Sequence, residues 1–235
     1  MKSQNTFVIK QAFYKSLPVL AGYMILGIGF GILLQNAGHG VLWALMMSSM
    51  IYAGSMQYVG VGLIAGGASV VTTILTTIMV NARHLFYSIS MIERYKDTGN
   101  YKPYLIFSLT DETYSLLCDG QVPDERTGNL YRFLVSFFNQ CYWVLGSVIG
   151  SLLGSVLPFS TDGIEFSMTA LFMASFTEQW ILGGNHIPAL AGAVCSLLCL
   201  FLFGPEQFLI PSMLLITFVL TAVRSRIQSG REETE

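Results

Sequence analysis

The chain has 235 residues, of which only 11% are Asp, Glu, Lys or Arg, whereas 53% are hydrophobic. Soluble domains carry about 25% charged residues, and no charged residue occurs in the 67 positions between Lys15 and Arg83. This composition excludes a soluble enzyme, a nucleic-acid-binding protein and a disordered chain. A bilayer core of about 30 Å is crossed by roughly 20 apolar residues in a helix, so the uncharged stretch is long enough for three spans.

Eight hydrophobic segments follow one another along the chain. They cover approximately residues 16–35, 41–65, 69–90, 103–118, 130–157, 165–183, 187–203 and 207–223. None shows the alternation of a membrane β-strand, so we predict an all-α integral membrane protein, a polytopic bundle of about seven or eight segments. We divide the chain into a basic N-terminus (1–15), a single transmembrane transport domain (16–223) and a charged C-terminal tail (224–235).

The first apolar run follows a basic N-terminus, an order that is also found in secretory signals. No small-residue cleavage site follows it, and the apolar character continues far beyond the hydrophobic core of a signal. We therefore interpret 16–35 as the first membrane span, and the positive-inside rule places residues 1–15 in the cytoplasm.

The positive-inside rule also conflicts with the number of hydrophobic segments. Basic residues are concentrated at both termini and in the connector 93–102, and the rule places all three clusters in the cytoplasm. An even number of crossings should separate them, but three segments precede the connector and five follow it. Either the rule fails for the connector, or each half contains one segment that enters and returns. The candidates are 41–65, which is interrupted at residues 52–55, and the short polar segment 103–118.

The interruption in the second segment is the first candidate for a binding site. An unwound turn frees backbone N–H and C=O groups, which can hold the charged ends of a small zwitterion. We therefore predict that Tyr52, Gly54, Ser55 and Gln57, which surround the interruption, bind the substrate.

The third segment carries a polar stripe. Its members recur at spacings of four, four, three and four residues, which places them on one helical face: Thr73, Thr77, Asn81, His84 and Ser88. Polar groups in lipid cost free energy unless they are satisfied, so the stripe faces other helices or a water-filled path. Two interpretations stay open. Either the side chains bond to their own helix or to a neighbour for structural reasons, or Thr77, Asn81 and His84 bind the substrate.

Arg83 lies beside this stripe, about 21 Å along a helix that begins at residue 69. An arginine at the centre of a bilayer costs at least about 2.5–3.5 kcal/mol. Arg83 therefore either anchors the helix at the membrane interface or faces an internal cavity. In a cavity, its guanidinium group would suit the carboxylate of a substrate or an acidic side chain.

Asp111 and Glu112 are acids in an otherwise apolar segment, where Ser108, Asp111 and Ser115 share one helical face. A carboxyl group that is removed from water can take up and release protons, so we predict that Asp111 or Glu112 couples protons or meets an amino group. The alternative is a structural ion pair between Arg83 and one of the two acids. Such a pair would need further hydrogen bonds to offset desolvation.

The fifth segment contains a ladder of small residues, in which Gly146, Gly150 and Gly154 are spaced by four and each is followed by a serine. This spacing predicts that another helix backbone approaches closely. The ladder does not decide whether that helix belongs to the same chain or to another subunit.

Motifs of catalysis and of cofactor binding are absent from the sequence. It contains no GxxxxGK phosphate loop, no HExxH, no GxSxG and no Cys/His cluster, and its four cysteines lie in or at the ends of apolar segments. We predict no cofactor and no metal, and we favour transport over enzymatic activity.

Several motifs resemble, in the same order, those of the AzlC family. They are Ser16-Leu17-Pro18, Gly22-Tyr23, Gly27-Ile28-Gly29-Phe30-Gly31, and residues 51–57, 80–84, 109–113, 176–180 and 185–188. The resemblance extends from about residue 12 to about residue 220. It implies a bacterial inner-membrane exporter of branched-chain amino acids that works with a small hydrophobic subunit of the AzlD type.

The hypothesis is secondary transport of leucine, isoleucine, valine or similar amino acids, driven by a proton or ion gradient. In this hypothesis Arg83 attracts the carboxylate of the substrate, and Asp111 or Glu112 couples protons or binds the ammonium group. The alternatives are a membrane scaffold or sensor subunit that transports nothing, and an importer with the same site.

Overall fold

The computed structural model describes residues 2–118, 120, 122, 127–156, 163, 166, 169–170, 173, 176–177, 180–181, 186–205 and 208–222. The regular structure of these residues is helical, and no strand occurs among them. The predicted C-terminal tail (224–235) lies outside the described residues. The chain packs into two compact units: Met1–Thr77 with Arg83–Met168, and Ile78–Ala82 with Thr169–Glu235.

The helices follow seven of the eight hydrophobic segments, two of which are broken, and most of the sixth segment (165–183) lies outside the described residues. In chain order they are α1 (Lys2–Asn36), α2 (Val41–Met50), α3 (Gly54–Ala65), α4 (Val70–Tyr95), α5 (Lys102–Phe107), α6 (Asp111–Leu117), α7 (Gly128–Val156), α8 (Ile187–Phe203) and α9 (Leu209–Ala222), with a 3-10 turn at Gly99–Tyr101. α1 begins upstream of the hydrophobic segment 16–35, within the basic N-terminus.

Two helices of the described chain are long and apolar enough to cross a membrane, Thr6–Asn36 and Gly128–Val156. Val41–Met50, Ile187–Phe203 and Pro211–Ala222 are shorter apolar helices. The fold is therefore helical as predicted, and the number of seven or eight segments that cross stays a prediction.

A seam of small residues joins α1 to α7. Cβ atoms placed on Gly31 and on Gly150 would overlap backbone atoms of the opposite helix, and a Cβ on Gly27 would lie 3.0 Å from backbone atoms of Gly146 and Ser147. The ladder in α7 thus meets a partner within the same chain. The seam runs in the same order along both helices, so α1 and α7 are parallel neighbours.

The segment 41–65 forms a hairpin with a break at residues 51–53. The side chain of Gln140 in α7 donates a hydrogen bond to the carbonyl of Ser49 at the end of α2, with a distance of 3.0 Å. From there α3 returns along α1, where the Tyr58 hydroxyl donates to the Leu26 carbonyl at 2.7 Å. Both ends of the hairpin, the start of α2 and the end of α3, therefore lie on the side where α1 ends.

The segment 103–118 forms a second hairpin, which starts from the opposite side. Leu105 of α5 and Leu117 of α6 belong to one buried cluster with Val8 near the start of α1, Tyr95 at the end of α4 and Tyr131 near the start of α7. The intervening residues 108–110 separate the two short helices. The N-terminal part of α1 and the end of α4 thus lie together, as two basic clusters on one side of a membrane require.

Polar and apolar side chains are distributed as in a protein surrounded by lipid. On α4, apolar residues such as Val70 (75% exposed) and Leu85 (66%) face outward, whereas Thr73, Thr77 and Asn81 are less exposed. Fully buried polar residues include Ser16, Ser48, Ser108, Thr113, Ser136, Asn139, Ser147 and Ser151. An apolar exterior around an interior that contains fully buried polar residues favours a bilayer over water as the solvent.

Candidate functional site

The two breaks meet inside the first unit. The rings of Tyr52 in the first break and Phe107 at the second have centroids 6.4 Å apart. The buried Tyr52 hydroxyl lies near those of Tyr23 and Thr110, although it forms no regular hydrogen bond with any described residue. Interrupted helices whose ends meet expose backbone polar groups at one place, as in many transporter sites.

Tyr52 has a strained backbone at this point. Its φ angle of 44° lies in the left-handed region, and it is the only non-glycine residue with a positive φ in the part of the chain that the structure describes. Such a conformation costs about 1–3 kcal/mol and persists only where surrounding contacts impose it. The contacts of the site therefore determine how α2 ends.

Arg83 faces the inside of the first unit and pairs with an acid. Its Nη1 atom lies 2.6 Å from Oδ2 of Asp111, and both side chains are about a quarter exposed. A second guanidinium nitrogen, Nη2, donates a hydrogen bond to the Ser55 hydroxyl at the start of α3. The cation thus connects α4 with both hairpins, and the ion pair between Arg83 and one of the two acids is present in the structure.

Glu112 has a different partner. The hydroxyl of Tyr23, which is 4% exposed on α1, donates to Oε2 of Glu112 at 2.7 Å. The same hydroxyl lies 2.7 Å from Oγ1 of Thr110. Thr110 caps α6, because its side chain accepts the backbone N–H of Thr113. The two adjacent acids therefore occupy distinct environments.

Trp143 of α7 packs against the residues that follow the first break. Its indole N–H donates to Oε1 of Gln57 at 2.9 Å, and its ring would lie 3.1 Å from a Cβ on Gly54. Tyr23 packs edge-on against the same ring, with centroids 5.4 Å apart. A side chain at position 54 would therefore make a tight contact with the indole.

The remaining predicted residues lie along α4. The Thr77 hydroxyl bonds to the Thr73 carbonyl of its own helix at 2.7 Å, and the His84 ring lies 6.0 Å from that of Tyr87. Asn81 is grouped with the second unit. The structure thus brings Tyr52, Ser55, Arg83, Asp111 and Glu112 together, and places Gln57 and Gly54 against Trp143.

Tyr23, Thr110, Thr113, Asn139 and Trp143 belong to the site but were not predicted as site residues. The sequence held one usable signal, since a threonine followed by two acids and a second threonine is typical of a capped helix start, which would have located the second break. The arrangement offers one guanidinium, two carboxyl groups and several hydroxyls, and it contains no group of described His, Cys, Asp or Glu residues fit to hold a metal.

An apolar exterior, buried polar residues and a site between broken helices define an α-helical membrane protein with an internal polar centre. The family model described as AzlC protein matches residues 18–157, and the chain belongs to the AzlC family. Family membership supports a role in transport rather than in enzymatic catalysis.

Relatives cover nearly the whole chain. It is 41% identical, over 97% of its length and 90% of the relative, to the "Branched-chain amino acid transport protein AzlC" of Bacillus subtilis (strain 168). It is 39% identical, over 97% of its length and 93% of the relative, to an "Uncharacterized membrane protein" of Haemophilus influenzae. The identity to the "Inner membrane protein YgaZ" of Escherichia coli (strain K12) is 29%, over 91% of this chain and 88% of that protein. No solved structure matches the chain.

Proposed function

We propose that this chain is the large subunit of a secondary transporter that exports branched-chain and similar neutral amino acids. The name of the Bacillus relative supports the substrate class. The observation that carries the proposal is the position of Arg83, which is held between Ser55 of one hairpin and Asp111 of the other. A cation at the meeting point of two breaks is suited to an anionic group that enters from either side.

The carboxylate of an amino acid has the charge and the planar shape of the Asp111 side chain. It can therefore take the place of Asp111 on the guanidinium of Arg83, which binds planar carboxylates through two nitrogens. Ser55 and the backbone groups freed around Gly54 supply further hydrogen bonds.

The ammonium group of the substrate needs acceptors close by. Oδ1 of Asp111 and the hydroxyl of Tyr52 are buried, and neither has a hydrogen-bond partner among the described residues. Glu112 adds a second carboxyl group, which we assign to the coupling of transport to protons or another ion. Thr77, His84 and Gln57 complete the proposed polar surface, and apolar faces of the same helices receive the aliphatic side chain.

The proposed setting is the bacterial inner membrane, with the N-terminus in the cytoplasm and a small membrane subunit of the AzlD type as partner. The basic residues near the starts of α1 and α5 support this orientation, because their helices begin in one buried cluster.

Reconstitution tests this function. Liposomes that contain the chain and its small partner are expected to take up labelled leucine by counterflow, and Arg83→Gln should abolish the uptake. Lys96→Gln is the matched control, since the side chain of Lys96 is 65% exposed and forms only a loose pair with Glu93, at 3.9 Å. Absence of counterflow for every neutral amino acid would favour the scaffold or sensor alternative. If cells that produce the chain and its small partner accumulated labelled leucine, the protein would be an importer and the proposed direction of transport would be wrong.

A further inference from the structure

The neighbouring acids at the start of α6 differ in what neutralises them. Asp111 pairs with Arg83 at 2.6 Å. Glu112 forms no ion pair in the described part of the chain, and its carboxylate accepts a hydrogen bond from the neutral hydroxyl of Tyr23. An ion pair holds a carboxylate in its charged form, whereas a hydroxyl can donate to a carboxylate or accept from a carboxylic acid.

Tyr23 is the first member of a chain of buried hydroxyls. Its oxygen lies 2.7 Å from that of Thr110, which lies 3.1 Å from the hydroxyl of Thr113. The amide Nδ2 of Asn139 on α7 then donates to the Thr113 oxygen at 3.0 Å. Thr113 and Asn139 are fully buried and Thr110 is 7% exposed. This chain of hydroxyls connects Glu112 to α1 and α7 without passing through Arg83.

Each of these hydroxyls has one proton, so the protonation state of Glu112 limits the directions that their hydrogen bonds can take. With an ionised Glu112, Tyr23 donates to the carboxylate, and Thr110 can give its one proton either to Tyr23 or to Thr113. With a protonated Glu112, the carboxyl donates to Tyr23, which then donates to Thr110, and Thr110 donates to Thr113.

The far end of the chain can accommodate both directions. In the second direction, the Thr113 proton needs a new acceptor. Oδ1 of Asn139 is buried and has no hydrogen-bond partner in the described ranges. Half a turn of the Asn139 amide would bring this oxygen to the position of Nδ2, opposite the Thr113 hydroxyl.

We propose that Glu112 is the group that carries the transported proton, that Tyr23, Thr110 and Thr113 are its positioning residues, and that Asp111 is the counter-ion of Arg83 and carries no proton. This proposal rests on the proposed transport function. One proton binds to the Glu112 carboxylate from the solution on one side and leaves from the same oxygen to the other side in each cycle.

Other ionisable groups also face Glu112. They are Tyr23 on α1, Tyr52 in the first break, Arg83 and Tyr87 on α4, and Asp111 on α6. The tyrosines are neutral at physiological pH, and Arg83 and Asp111 compensate each other. Glu112 is thus the group among them whose charge can change without breaking the ion pair.

Glu112→Gln and Asp111→Asn separate the two roles in liposomes with the small partner. We expect leucine counterflow by Glu112→Gln to lose its pH dependence between about pH 5.5 and 8.5, and a pH gradient to drive no net leucine movement. Asp111→Asn should raise the KM for leucine about tenfold or more while the pH dependence remains. A gradient-driven flux in Glu112→Gln, or a flat pH profile in Asp111→Asn, would overturn the assignment.

Tyr23→Phe tests the hydroxyl chain, because it keeps the ring on Trp143 and removes only the donor. Loss of a hydrogen bond to a carboxylate should move the midpoint of the transport pH profile upward by about one unit. Tyr58→Phe is the matched control. Tyr58 is also a buried tyrosine, but its hydroxyl bonds to the Leu26 carbonyl, so its profile should coincide with that of the wild type. An unshifted profile in Tyr23→Phe would contradict the proposed role of the chain.

A spectroscopic titration keeps this proposal separate from the transport function. Infrared difference spectra of the purified complex between low and high pH should contain the C=O band of a protonated, buried carboxylic acid. The band should vanish in Glu112→Gln and persist in Asp111→Asn, whatever the substrate proves to be. Persistence of the band in Glu112→Gln would refute Glu112 as the proton carrier, whereas lack of leucine counterflow alone would refute only the proposed substrate.

Discussion

Arg83 on α4 and Asp111 on α6 form an ion pair of 2.6 Å between residues that are 28 positions apart in sequence. The pair joins the middle of a long helix to the tip of the second hairpin. Ser55, which accepts a hydrogen bond from the same guanidinium group, adds the first hairpin. One cation therefore contacts both hairpins.

Removal of one member of this pair should destabilise the protein. We expect Arg83→Gln to lower the free energy of unfolding by about 3 kcal/mol, at the lower end of the range for buried pairs because both side chains are about a quarter exposed. Arg83→Gln combined with Asp111→Asn should be more stable than Arg83→Gln alone, since no unpaired charge remains. Thermal unfolding in detergent measures both effects, and a double variant that is less stable than either single one would contradict the pairing.

Tyr52→Phe should raise stability and lower transport. The substitution removes a buried hydroxyl that has no regular hydrogen bond with a described residue, so the melting temperature should increase slightly. If the hydroxyl binds the ammonium group, the KM for leucine should rise severalfold with little change in the maximal rate. Equal KM values for wild type and Tyr52→Phe would exclude this hydroxyl from the binding site.

Trp143→Phe should cost about 1–3 kcal/mol, because Oε1 of the buried Gln57 loses its donor. Trp143→Phe with Gln57→Leu removes both partners and should recover part of this loss. A double-mutant cycle on unfolding free energies gives the coupling energy between the two side chains. Additive effects would show that the indole acts only through its size.

Gly31→Ala should destabilise the seam between α1 and α7. The added methyl group would overlap the Ser147 carbonyl, and overpacking against backbone costs about 1–3 kcal/mol or more. Gly62→Ala in α3 is the matched control, since a Cβ there meets no atom within 4 Å, and this variant should be as stable as the wild type or slightly more. Similar melting temperatures for the two variants would contradict the close approach.

The clearest candidates that the sequence offers for the site are residues whose placement in lipid is costly. Arg83, Asp111 and Glu112 are conspicuous because a charge between apolar residues requires a partner. The break at Tyr52 was visible because Gly54 and Ser55 interrupt an apolar run. These signals are local, so a single sequence suffices to detect them.

Contacts between residues that are far apart in the sequence leave no comparable sequence signal. Tyr23 looks like an ordinary aromatic residue of an apolar helix, because period alone does not tell which face of a buried span meets a neighbour. The partner of the glycine ladder was equally invisible, since small residues fit any close helix pair. The sequence does not show which face of α6 meets which helix. It therefore could not predict that Asp111 pairs with Arg83 and Glu112 with Tyr23.

The glycine seam has a consequence for motion. Two backbones in direct contact cannot slide past each other without first separating, because each carbonyl would have to climb over a Cα atom of the other helix. We therefore expect α1 and α7 to move as one rigid pair of helices, which keeps Tyr23 and Trp143 in fixed relative positions. In the proposed transport cycle, we expect the two short hairpins to move relative to α1 and α7.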